Sequence, residues 1–215
     1  VSVLFFFFSG NIWIGTRKGI YMYDDKKDDF RFYPHSRKDS PVLFPSLGSD
    51  IPILSIEASQ TNDSIVWAGT PGGLQEINKY TGLVKVFKYP QENKDYQIAV
   101  NAFRRLYHHD DGLLYVGSWA AGANVFDPVK KTFTPLPIKN EQGKKLLSKA
   151  IGSICRKNDH EIWITSLAGL AIYDSKLKDV TWYKLNNNVE NEFYAVDYID
   201  EANRIWHTDV NGLQY

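Results

Sequence analysis

The sequence predicts an all-β protein built from copies of one small antiparallel sheet, and three observations carry that reading. A segment centred on a bulky aromatic recurs at Trp13, Trp67, Tyr115, Trp163 and Trp206, at intervals of 54, 48, 48 and 43 residues. Small residues, a glycine and a closing Asp or Asn keep fixed offsets from that aromatic, so the recurrence is an internal repeat. The composition favours strands: thirteen Tyr, twelve Phe and six Trp stand against one Met, and apolar stripes at helical spacing are scarce.

Each copy divides into strand-length segments. An apolar stretch comes first ("VSVLFF", "ILSIEA", "VNAFRRLY", "IGSICRK", "FYAVDYI"), and a polar turn follows it ("SGN", "TNDS", "HDDG", "NDHE", "DEANR"). Such turns suit hairpins, where short polar side chains bond nearby backbone amides. The anchor strand follows, with Gly15, Gly69, Gly117, Thr165 and Thr208 two residues past the aromatic and Thr16, Thr70, Ser118, Ser166 and Asp209 next. Gly19, Gly73, Gly169 and Gly212 open a third strand, and one inserted residue places Gly122 there in the third copy. Asp24, Asn78, Asp127 and Asp174 close it. The fourth strand alternates apolar and polar residues, as in "DFRFYP" and "DVTWYKL".

Four strands in about 45 residues make a β-propeller blade. A blade buries both faces only against neighbouring blades, which explains the repetition. The aromatic supplies buried area worth roughly 2–3 kcal/mol gross, the small residues allow close approach, and the glycine permits a tight turn. The expected blades lie at about 1–35, 53–89, 98–137, 150–185 and 193–215 of one propeller, 1–215. The fifth is incomplete, lacking its outer strand. The expectation is a fragment of a larger array, completed by further blades of the same protein or by another copy in a homodimer, since open blade edges favour self-association.

The repeat resembles the two-component regulator propeller family, whose pattern runs aliphatic, Trp, aliphatic, Gly, Thr, two variable residues, Gly, Leu. "IWIGTRKGI" (12–20) and "VWAGTPGGL" (66–74) fit it almost throughout. "IWITSLAGL" (162–170) and "IWHTDVNGL" (205–213) depart at the Gly-Thr pair, while "LYVGSWAAGAN" (114–124) has Tyr for Trp and an extra residue. The resemblance implies a periplasmic sensor propeller of a hybrid histidine kinase from Bacteroides-type bacteria, responding to polysaccharide-derived oligosaccharides. It also implies that the full-length protein is a kinase anchored in the inner membrane, this segment being neither enzymatic nor in contact with the membrane.

Lys plus Arg and Asp plus Glu number 25 each, so net charge is zero with His neutral. That gives no bulk attraction to nucleic acid or anionic lipid. Cys155 is the single cysteine, excluding an internal disulfide and reading as a small buried hydrophobe. "VSVLFFFF" is too short to span a bilayer and lacks the marks of a signal peptide.

Chemistry-bearing residues are few. "HHDDG" (108–112) pairs His with Asp, but it falls in a hairpin turn, and adjacent strand side chains diverge, which spoils chelation. His35 and His160 sit in a connection and a turn; His207 lies in an anchor strand, as an inter-blade histidine or a channel group. No phosphate loop, nucleophile elbow or zinc spacing is present, so no cofactor and no metal are expected. The loops between second and third strands supply the ligand-binding candidates Arg17, Lys18, Trp119 and Asn211. Trp119 is suited either to stacking on a sugar ring or to packing on the next blade. Arg104 and Arg105 interrupt an inner strand and need a partner, water or a ligand. A sensor is the leading expectation; a propeller-type lyase or lactonase and a non-catalytic interaction scaffold are the alternatives the fold also supports.

Overall fold

The computed structural model of the chain describes residues 4–8, 11–34, 51–90, 101–136, 150–166, 169–183, 195–199, 204–209 and 212–214. They form nineteen strands in five antiparallel meanders. The first blade comprises β1 (Leu4–Phe8), β2 (Asn11–Gly15), β3 (Gly19–Asp24) and β4 (Asp29–Pro34). The second has β5 (Ser55–Ala58), β6 (Ile65–Thr70), β7 (Gly73–Asn78) and β8 (Val84–Phe87). The third has β9 (Phe103–His108), β10 (Leu114–Ser118), β11 (Ala123–Asp127) and β12 (Thr132–Pro135). The fourth has β13 (Ile151–Arg156), β14 (Glu161–Ser166), β15 (Gly169–Asp174) and β16 (Asp179–Tyr183). A three-stranded sheet follows, of β17 (Ala195–Ile199), β18 (Ile205–Asp209) and β19 (Gly212–Gln214). No helix among the described residues is long and apolar enough to cross a membrane.

The first strands of consecutive blades lie beside one another, β1 by β5, β5 by β9, β9 by β13 and β13 by β17, so the sheets stack in chain order as propeller blades. Between neighbours lies a separate apolar core. Trp13 packs on Ile53, Ile56 and Val66 of the second blade, and Trp67 on Phe103, Leu114 and Phe126 of the third. Tyr115 packs on Ile151, Ile162 and Ile164 of the fourth. These three anchors keep no more than 2% of their surface exposed. Trp163 and Trp206 are half-buried.

The glycine two residues past each anchor shares its face, because strand side chains alternate. A β-carbon there would collide with the next blade. At Gly15 it would lie 2.7 Å from Ile53, at Gly69 2.0 Å from the Phe103 carbonyl, and at Gly117 2.7 Å from Ile151. Where the fourth copy has Thr165 instead, its hydroxyl meets that of Ser153 at 2.9 Å, a buried bond that satisfies both.

The remaining repeat residues shape turns. The Thr16 and Thr70 hydroxyls each donate to the carbonyl three residues on and accept the N–H two residues on, clamping the loop before the third strand. Gly19 and Gly73 end it at φ 145° and 136°. In the third copy the extra residue changes the turn, and Gly122 sits at φ 68°. The carboxylate or amide oxygens of Asp24, Asn78, Asp127 and Asp174 accept N–H bonds from the turn that follows. Four residues further on, Asp28, Gly82, Lys131 and Lys178 all adopt positive φ, between 50° and 76°. Only one of these positions is a glycine, so three side chains carry left-handed strain.

Replacing Gly69 with Ala is expected to destabilise the protein by about 3 kcal/mol, since the obstructing atom is backbone. Replacing the exposed Lys178 with Gly should stabilise it by about 0.5 kcal/mol by relieving strain. Urea unfolding of the two variants beside the parent checks both signs.

Candidate functional site

The loop between β10 and β11 departs from its sister loops, and the departure builds a platform. With one extra residue, Ser118 folds the loop differently: its N–H donates to the Gly122 carbonyl at 2.9 Å, and its hydroxyl accepts the Ala121 N–H at 2.5 Å. The Asn124 amide nitrogen donates to the Ala121 carbonyl at 3.1 Å, and the Trp119 N–H donates to the Ala102 carbonyl at 3.2 Å. Trp119 is thereby held at the loop tip with 47% of its surface exposed.

Beside it, β9 carries a bulge. Gly117 pairs with Arg105 and Ser118 with Phe103, leaving Arg104 as the extra residue. A bulge re-aims the residue it holds, and the Arg104 guanidinium lies over the Trp119 ring, 4.7 Å from its centre. Its charge rests on a π face rather than on a carboxylate among the described residues, an arrangement worth about 0.5–1 kcal/mol where exposed. The Arg105 Nη1 donates to the Arg104 carbonyl at 2.9 Å. Three of the residues singled out from the sequence therefore come together. Arg17 and Lys18 are exposed on the first blade, two blades away. Asn211 and most of the long inter-blade connections lie outside the described residues.

At the opposite blade end, "HHDDG" occupies the turn the sequence predicts, and its histidines are buried, at 1% and 2% exposure. They diverge as adjacent strand residues should. The His108 Nδ1 accepts the Gln60 N–H of the second blade at 2.7 Å, while His109 packs edge-on against Tyr107 and Tyr115. No three His, Cys, Asp or Glu side chains among the described residues are placed to hold a metal. Burial pushes the Cys155 thiol up to about 12, so little thiolate exists at neutral pH.

Two carboxylates have no counterpart in the repeat pattern. Glu57 of β5 accepts the His108 N–H at 3.2 Å. The residue is half-buried, but its carboxyl end is enclosed, and burial pushes it up to about 8 against the weaker pull of that bond. Glu76 stands across from Trp67 on β6, where sister blades place Met22, Val125 and Ile172. It is 9% exposed and ion-paired with Lys85 at 3.2 Å and with Lys131 of the third blade at 2.8 Å. Burial raises its pKa, but the two lysines outweigh this and leave it below the usual carboxylate range. The pair-and-cleft arrangement around Glu76 escapes a sequence reading; its one signal is a glutamate at an apolar position of "GLQEIN".

The stacked four-stranded meanders define the class of architecture, a β-propeller. No protein-family model matches the sequence, and no curated protein does. Among solved structures, the chain is similar to the extracellular domain described as that of hybrid two component system BT3049 from B. thetaiotaomicron. The TM-score is 0.68 and the identity 20%, over 98% of this chain and 28% of that one. It is similar to the extracellular domain of BT4673 from the same organism at TM-score 0.67 and 18% identity, over 96% of this chain and 25% of that one. The same fold extends to Saccharomyces cerevisiae Sqt1, at TM-score 0.58 and 10% identity, over 93% of this chain and 52% of that one. The chain thus spans between a quarter and a third of the two Bacteroides domains.

Glu57 also sets a pH dependence. Its folded pKa of about 8 lies above the 4.5 of a glutamate in water, so its proton favours the folded state fully below pH 4.5. That contribution is lost as pH rises through 8. Replacing Glu57 with Gln should make the protein more stable than the parent at pH 8, by up to about 3 kcal/mol, with the gap closing towards pH 4.5. Thermal unfolding across that range reads the difference.

Proposed function

We propose that this chain is part of an extracytoplasmic, non-catalytic sensing propeller of a hybrid two-component system. In this reading it responds to polysaccharide-derived oligosaccharides and signals to a histidine kinase, its stack completed by further blades of the same protein or of a second copy. The fold it shares with extracellular domains of such systems in B. thetaiotaomicron supports the sensing role. The observation that carries the ligand reading is the Arg104–Trp119 platform. A half-exposed indole is suited to contact with the C–H side of a sugar ring, and the guanidinium lying over it carries donors suited to the sugar's oxygens.

Calorimetric titration with a panel of neutral and acidic oligosaccharides is expected to yield at least one ligand. Trp119→Ala and Arg104→Ala should each weaken its binding by about tenfold or more, with the melting temperature of the free protein lowered by no more than about 4 °C. A ligand that binds both variants as well as the parent would remove the platform from the site, and a panel without a single ligand would remove the oligosaccharide reading.

A further inference from the structure

The two inter-blade grooves at the turn end of the molecule differ in a way the repeat makes legible. Between the first and second blades, the Tyr33 hydroxyl donates to the Lys79 carbonyl at 2.6 Å and the Arg31 guanidinium to the Tyr80 carbonyl at 2.7 Å, tying blade to blade across a groove of about 340 Å³. Between the second and third blades the equivalents are Phe87, which has no hydroxyl, and Lys85, which turns to Glu76. Neither tie forms, and a cleft of about 480 Å³ remains, within the range of small-ligand pockets.

The cleft has hydrogen-bond donors to spare. Each Glu76 oxygen takes one ammonium, from Lys85 and Lys131, so two cations face one anion. Each ammonium has three N–H donors and gives one to Glu76, and that of Lys131 also lies over the Phe87 and Trp67 rings, 5.1 and 5.9 Å from their centres. Trp67 forms part of the wall, and its enclosed indole N–H has no acceptor among the described residues. The wall's own acceptors are occupied: the Ser59 hydroxyl takes the Asn62 N–H, Asn62 Oδ1 takes the Ser64 N–H and hydroxyl, and Asn78 Oδ1 takes two turn amides. The rim is apolar, with Leu83 60% and Val129 90% exposed. Sister blades fold with Met, Val or Ile where Glu76 stands, so packing alone does not require the charge.

We infer that this cleft is a binding site for a small sugar acid, whose carboxylate meets Lys85 and Lys131, whose ring oxygens and hydroxyls take the remaining donors, and whose C–H face rests on Leu83 and Val129. The site is separate from the Trp119 platform, which lies at the other end of the blades, and does not rest on the function proposed above.

The test follows the Trp67 indole N–H in ¹⁵N-labelled protein, identified by its loss in Trp67→Phe. D-glucuronate should shift it saturably, D-glucose should bind at least roughly tenfold more weakly, and Lys85→Gln with Lys131→Gln should weaken glucuronate about tenfold. Lys85 is 56% exposed along its side chain, so the single Lys85→Gln variant gives a folded reading should the double variant unfold. Trp119→Ala should leave the titration unchanged. An absent or non-saturating shift, equal affinity for glucose, indifference to the lysine changes, or loss with Trp119→Ala would each overturn the assignment.

Discussion

Everything in this stack depends on how closely one blade settles on the next. The anchor aromatic and the residue two positions beyond it point to the same neighbour, and they act as a pair. Where the second residue is glycine, at Gly15, Gly69 and Gly117, the following inner strand comes within a β-carbon's width and the anchor is sealed. In the fourth copy threonine stands there, at Thr165, and Trp163 is half-buried. The aromatic supplies the area, and the glycine leaves the room that lets the next blade cover it. The fixed offset of two in the sequence is therefore a packing constraint and not a turn signal.

That division of labour explains why the repeat is visible at so low an identity to known structures. A few positions per blade set the approach, and a few more close turns through side-chain oxygens on backbone amides. The rest of each sheet needs only to be apolar on whichever flank is covered. Positions outside that short set are free to vary, so a charged or exposed residue that breaks the local pattern is informative. Sister blades at the same register act as internal controls for it. The inserted residue beside Trp119 and the carboxylate at Glu76 are the two clearest breaks, and each has a structural consequence that the intact copies lack.

The fold was legible because its period is short and its anchors are bulky; the sites were legible only in part. Trp119 and Arg104 stood out separately, one as an aromatic in a loop and the other as a charge in an inner strand. That they meet depends on the bulge in β9, a slip of the ladder that hydrophobic alternation does not encode. Glu76 is not legible in the sequence because a polar residue in an alternating strand reads as facing water. In a sheet covered on both flanks there is no water-facing side, and that rule fails. The "HHDDG" turn is where the sequence puts it, and the neighbouring blade and the tyrosines beside it enclose its histidine rings.

These departures are not spread evenly. The interface between the first and second blades joins its apolar core to bonds on backbone carbonyls, from Tyr33 to Lys79 and from Arg31 to Tyr80. The interface between the second and third holds the Glu57–His108 bond, the Gln60–His108 bond and the Glu76–Lys131 ion pair. Such bonds are sensitive to angle and distance and costly when half-broken. Blades in a stack touch only their neighbours, so a perturbation enters at one interface and is passed on through whole blades. A charged group introduced between the second and third blades competes with interactions that already fix their register. The second interface differs from the first in that titratable side chains, Glu57, Glu76 and His108, take part in the bonds that cross it.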